Sequence, residues 1–165
     1  MSSDEPVCPD LVHDDRITAI GLFAEAYTGL MARFTGQLAE QDLGLVEFEV
    51  VLRLARSPRG ELRMTDLSTQ TSLTTSGVTR VVDRLERDGL VGRRACPSDR
   101  RSSYAVITAS GRRRLAAVLP GHVALIEEWF TGRLTPEQLT SALAALRTIR
   151  DAVRPGAAAG GAAVP

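Results

Sequence analysis

Apolar residues recur at spacings of three and four along most of this chain, and the breaks in that rhythm mark out its elements. Over residues 14–40 the series Ile17, Ile20, Ala24, Tyr27, Leu30, Met31, Phe34 and Leu38 predicts a long amphipathic helix. Asp14 and Asp15 stand in its first turn, where the helix dipole favours anions. A second helix is predicted over 45–56, with Phe48, Val51, Leu52 and Ala55 on one face, before Pro58 and Gly60 break the chain. A short helix capped by Thr65 follows, then a turn at 71–73. The next helix spans 75–87 and is stopped by Gly89. Residues 90–96 and 101–108 have strand character, and Pro97, Ser98 and Asp99 between them make a hairpin. Helical spacing resumes over 110–130, where Pro120-Gly121 predicts a kink or a break. Thr135-Pro136 opens a last helix with an apolar seam of Leu139, Leu143, Leu146, Ile149 and Val153.

This pattern predicts a mainly α fold with about six helices and a two-stranded β-wing, in one domain over 13–153. Residues 44–108 form a winged helix-turn-helix, and 13–40 and 110–153 supply helices from both chain ends. The polar start (1–12) and the tail 154–165 offer nothing to pack and are expected to be disordered. Aromatic content is only 4%, so the core must be built from Leu, Val, Ile and Ala. No apolar run approaches the roughly 18–20 residues of a membrane span, and the acidic start is no secretory leader, so a cytoplasmic protein is expected. The two cysteines, Cys8 and Cys96, make no disulfide framework.

The formal net charge is zero, but it is unevenly placed. Residues 53–114 hold 14 arginines against six acidic residues, a surplus of eight that the rest of the chain cancels. All twenty basic residues are arginine, which can grip phosphate or guanine with two nitrogens where lysine is a point charge. A polyanion is the partner that such an asymmetry suits.

On the 75–87 helix Val78, Val81, Val82 and Leu85 share one face, and Ser76, Arg80, Asp83 and Arg87 the opposite one, with Arg84 at its edge. The small residues Thr74, Thr75, Ser76 and Gly77 let the helix start approach a groove, and its amides can hold a phosphate. With Thr79 they form the expected DNA-facing end, and Arg80 can reach a base edge or a phosphate. A solvated helix with Asp83–Arg87 pairing explains the same face without DNA. The hairpin shifts that balance. Arg93, Arg94, Arg100 and Arg101 crowd it with only Asp99 to offset them, and like charges that dense are relieved by a polyanion. Arginine at a hairpin tip suits a narrow minor groove. Asp99 is expected to orient one of these arginines, and Tyr104 and Val106 to pack the wing on the body.

The strings VTRVVDRLERDGLV, DRR and ITASGRRRL, in this order of elements, resemble the MarR family of winged-helix regulators over roughly residues 14–153. Ser68 and Ser72 depart from that pattern, where the family commonly has Ala and a turn Gly. The resemblance implies a homodimer whose first and last helices interlock, a palindromic double-stranded DNA site near a promoter, and often a small effector in a crevice. The wide apolar seams at both chain ends support the dimer independently, and packing two copies would set the recognition helices roughly 34 Å apart. On this reading Thr75, Ser76 and Arg80 meet the major groove and Arg100 or Arg101 the minor groove. Arg84 and Arg94 hold phosphates or the wing, and the regulator is a repressor. Tyr27, Phe34, Phe48, Arg53 and His122 are the expected effector crevice, while Trp129 and Phe130 are expected in the core or a dimer contact.

Other chemistry is weakly supplied. Cys96 is expected on the exposed wing beside Arg93 and Arg94, so a thiol-based redox sensor using Cys8 or Cys96 is one alternative. A winged-helix protein-interaction module is another. His13 and His122 are the only histidines and form no ligand pattern, so no metal and no cofactor are expected. No nucleophile elbow or other catalytic signature is present, and an enzyme is not expected.

Overall fold

In the computed structural model the apolar faces named above converge on one core, with Leu38, Val50, Leu54, Leu67, Val78, Val82, Leu85 and Ala105 fully inaccessible to solvent. The structure describes residues 9–71, 73–96 and 99–160, and the side chains of 11–71, 73–96 and 102–157. Six helices carry the fold: α1 (Asp15–Ala39), α2 (Leu45–Arg56), α3 (Met64–Thr71), α4 (Thr75–Arg87), α5 (Ala109–Trp129) and α6 (Pro136–Val153). Their starts follow local chemistry. Asp14, Thr74, Thr108 and Thr135 each accept a backbone N–H at a helix N-terminus. At α6 the Gln138 side chain returns the bond to the Thr135 amide at 2.9 Å. Helix α3 begins at Met64, so Thr65, the expected cap, lies inside its first turn.

The sheet has three strands rather than the expected two. Strands β2 (Val91–Cys96) and β3 (Asp99–Ile107) form the wing hairpin, and β1 (Glu61–Arg63) pairs with the other edge of β3, giving the order β1-β3-β2. Three residues are too short to show an alternation, and β1 exists because β3 offers an unpaired edge. The turn into β1 is tight. Arg59 and Gly60 both lie in the left-handed region, at φ 62° and 72°, and Gly60 sits under Ile107 and Arg112 with no room for a Cβ. A bulge between Ala95 and Cys96 turns the hairpin near its tip.

Three further expectations are corrected. Helix α5 runs continuously through Pro120, so of the expected kink or break at Pro120-Gly121 the break is excluded. The chain is already helical over Pro9–Val12. After α6 the segment Pro155–Gly160 forms 3-10 turns, with Gly156 against Thr69 of α3 and Ala157 buried. That glycine-alanine segment carries no hydrophobic period, yet small side chains allow a close seat on α3.

No helix among the described residues is long and apolar enough to cross a membrane.

Candidate nucleic-acid interface

Helix α4 and the wing are the parts richest in arginine, and their geometry sorts those arginines into two groups. Val78, Val82 and Leu85 bury one face of α4 completely, as its spacing predicts, and Val81 is half-buried. The opposite face is exposed from Thr74 to Ser76 and at Thr79, Arg80, Arg84 and Arg87. Thr74 Oγ1 accepts the Gly77 amide at 3.1 Å and lies 3.1 Å from Ser76 Oγ, so Thr74 serves the helix cap. Thr79 Oγ1 donates back to the Thr75 carbonyl at 2.9 Å. Two of the expected DNA-facing hydroxyls are thus spent inside the helix. Among the described residues the Thr75 side chain forms no such bond, and Gly77 is half-buried beneath Thr74 and Leu73.

Most of the arginines around α4 are held by carboxylates of the protein itself. Arg84 reaches back to buried Glu47 of α2, with a guanidinium nitrogen 2.8 Å from Oε1 in a close ion pair outside hydrogen-bond alignment. The other Glu47 oxygen accepts the Gly44 amide at the start of α2 at 2.8 Å. Arg94 grips Glu61 of β1 with two nitrogens at 2.9 and 3.2 Å and lies over the Tyr104 ring at 4.6 Å. Arg59 shares the same carboxylate at 3.1 Å. Arg94 first, and Arg59 after it, hold the Glu61 carboxyl below the usual range. Arg63 donates to the Tyr104 hydroxyl at 3.1 Å. Tyr104 therefore joins Arg63 of β1 to Arg94 of β2 across the sheet.

Sequence reasoning missed the arginine that joins the two halves of the interface. Arg93 of β2 spans from Asp83 (2.6 Å) to Glu86 (3.0 Å) on α4. The signal was present as two acidic residues three apart on the exposed face of α4, but only the fold shows that β2 passes beside them. Arg80, by contrast, has no hydrogen bond or ion pair among the described residues.

Asp99, Arg100 and Arg101 lie on β3, but their side chains fall outside the described residues, as do Cys8 and all of Ser72. Ser68, the other departure from the family pattern, donates to the Leu73 carbonyl at 2.7 Å and so closes the turn between α3 and α4.

The five residues expected around a crevice are divided. Phe34, Phe48 and His122 meet where α1, α2 and α5 cross, with the imidazole 4.9 and 4.6 Å from the two rings. Gln37 Nε2 donates to the Val118 carbonyl at 3.4 Å, which turns its Oε1 toward His122 Nδ1 at 3.3 Å and makes Nδ1 the protonated nitrogen. Burial pushes the His122 pKa below its ordinary value. Tyr27 stands apart, stacked on Phe23 in a groove between α1 and α6, and Arg53 pairs with Glu49 on α2 at 3.4 Å. Trp129 and Phe130 line that same groove. Cys96 is buried, not exposed as expected, because the bulge turns it inward. Among the described residues no group of three His, Cys, Asp or Glu side chains could hold a metal ion.

The helix-turn-helix and wing coincide with the match to a known family model, described as the MarR family, over residues 43–103. AbsC, a MarR family transcriptional regulator from Streptomyces coelicolor, is 32% identical, with a TM-score of 0.81 over 86% of this chain and 96% of that one. Sco3205, a MarR family transcriptional regulator of the same organism solved in complex with DNA, is 33% identical, with a TM-score of 0.82 over 92% of this chain and 94% of that one. The HTH-type transcriptional regulator YkoM of Bacillus subtilis is 31% identical over 71% of this chain and 74% of its own length. With a shared fold from α1 to α6, a shared winged helix and this level of identity across most of both chains, the protein belongs to the MarR family of transcriptional regulators.

Proposed function

We propose that this regulator is a cytoplasmic homodimer that binds a palindromic double-stranded DNA site and represses transcription by occupying it. The observation that carries this reading is the Arg93 bridge from wing to α4, which joins a helix suited to the major groove and a hairpin suited to the minor groove into one unit. Thr75, Ser76 and Arg80 face the major groove, and Arg100 or Arg101 the minor groove. The open amides at the start of α4 suit a phosphate. Occupied promoter DNA excludes other proteins without further chemistry, which favours repression.

The dimer reading rests on Ile17, Ile20, Leu22, Phe23, Tyr27, Val123, Ile149 and Val153, all large, apolar and exposed on α1, α5 and α6. A patch of that extent is unusual on a monomer. Between α1 and α6 it opens into an apolar groove of about 690 Å³, and a second copy of the same helices fills it. Relief by a small effector rests on the Phe34, Phe48 and His122 cluster, which joins the dimerisation helices to the winged part. Burial of Cys96 gives thiol gating there no support.

The test is fluorescence anisotropy with the DNA flanking the regulator's own gene, and with a scrambled duplex, at two salt concentrations. Preference for the native fragment, with a log–log salt slope of about −0.9 per phosphate neutralised, is expected. Equal weak binding to both duplexes at either salt would refute a site in that fragment.

A further inference from the structure

We infer that Arg80 reads a guanine in each half of the DNA site and is the side chain of α4 that determines sequence preference. The inference rests on the DNA-binding reading and goes beyond it by separating arginines that read from arginines that hold the frame.

Three observations lead to it. First, Arg84 is drawn back to Glu47 at 2.8 Å, and Arg87 turns to its own helix, with Nε 3.4 Å from the Asp83 carbonyl. Second, Asp83 is the carboxylate three residues after Arg80, placed to pair with it along the helix. Arg93 from the wing takes that carboxylate instead, at 2.6 Å. The bridge that fixes the wing therefore also leaves Arg80 without its natural restraint. Third, Arg80 lies one turn beyond Ser76 on the exposed face, next to the small residues that allow close approach to a groove.

A guanidinium only donates hydrogen bonds, through a planar fork. In the major groove guanine presents two acceptors, N7 and O6, at matching spacing. Adenine pairs an acceptor with an N6 donor, thymine shows one acceptor beside a methyl group, and cytosine shows a donor. An unpaired arginine pressed onto base edges therefore favours guanine. Phosphates can be met by the amides at the start of α4 and by the wing.

The experiment starts by selecting a binding motif with the wild-type full-length chain from a library of random-core duplexes. The wild type, R80A and R80Q are then titrated against the selected duplex, with each guanine replaced in turn by 7-deazaguanine. Circular dichroism melting checks folding, and an exposed side chain should leave it unchanged. One guanine per half-site should cost the wild type about tenfold on replacement, cost R80Q less and cost R80A nothing, while R80A discriminates roughly ten- to a hundredfold less at that base pair. Uniform weakening of R80A on every duplex, with a shallower salt slope, would make Arg80 a phosphate contact and overturn the assignment. Unchanged discrimination at every guanine would overturn it too. Failure of the wild type to enrich any motif would instead bring down the DNA-binding reading, and this inference with it.

Discussion

His122 shows how one side chain takes its character from its neighbours. On the sequence it is an isolated histidine. In the fold it is buried between Phe34 and Phe48 and donates through Nδ1 to Gln37. Burial lowers its pKa below the ordinary value of 6.5. The unfolded chain therefore binds a proton that the folded one refuses in the window between the lowered value and 6.5. The folded state should keep its full stability above that window and lose some as pH falls through it. Urea midpoints at pH 7.5 and 5.5 should thus differ more for the wild type than for H122F. An equal acid loss in both proteins would show that other groups carry it. No charged group contributes to this shift, so the effect is one of desolvation alone.

At the scale of elements, the joint between α4 and the wing adds ion pairs to an apolar base, where Val91, Ala105 and Ile107 share one buried cluster with Val78, Val82 and Leu85. The Arg93 pairs with Asp83 and Glu86 are partly exposed, and exposed pairs contribute about 0.2–1 kcal/mol each. Removing them should barely change the melting temperature. The DNA-bound state is different, because it requires the wing at one angle, and a loosened wing must be ordered on binding. R93A is expected to bind operator DNA about tenfold more weakly while melting within a few degrees of the wild type. R93K separates geometry from charge, since lysine keeps the positive charge but cannot span two carboxylates. Near wild-type affinity in R93K, measured by anisotropy, would reduce Arg93 to a charge contribution. The glycine at the start of α5 belongs to this scale too. Gly111 lies against the Leu90 carbonyl with no space for a Cβ, so the turn after α4 and the start of α5 are seated on one another.

At the scale of the whole molecule, the unsatisfied surface is apolar and lies on α1, α5 and α6. F23D combined with Y27D places charge in the groove between α1 and α6, where those rings stack at 6.4 Å. Both positions are exposed in the single chain, so the fold should survive. Analytical ultracentrifugation should find the wild type as a dimer and the double variant as a monomer. Binding to a duplex with both half-sites should then fall at least a hundredfold, because each half-site is held alone. A wild type that sediments as a monomer at micromolar concentration would rule out the dimer at its root.

Local patterns determined much of this protein. The six helices, the Thr135 cap, the stop at Gly89 and the wing hairpin follow from spacing and cap chemistry, which act over a few residues, whereas Thr65, also expected to cap, lies inside α3. The exposed face of α4 was equally legible, because a helix with three valines and a leucine on one side can turn only one way. Tertiary structure decided what depends on distant neighbours. Strand β1 needs the edge of β3, Cys96 is buried by a bulge, and Pro155–Gly160 forms 3-10 turns where α3 provides a seat for Gly156. The division of the arginines was decided there as well. Glu47, Glu61, Asp83 and Glu86 are ordinary acidic residues in the sequence. Only folding brings Arg84, Arg94 and Arg93 to them, because ion pairs form by proximity in space, and composition records charge without position.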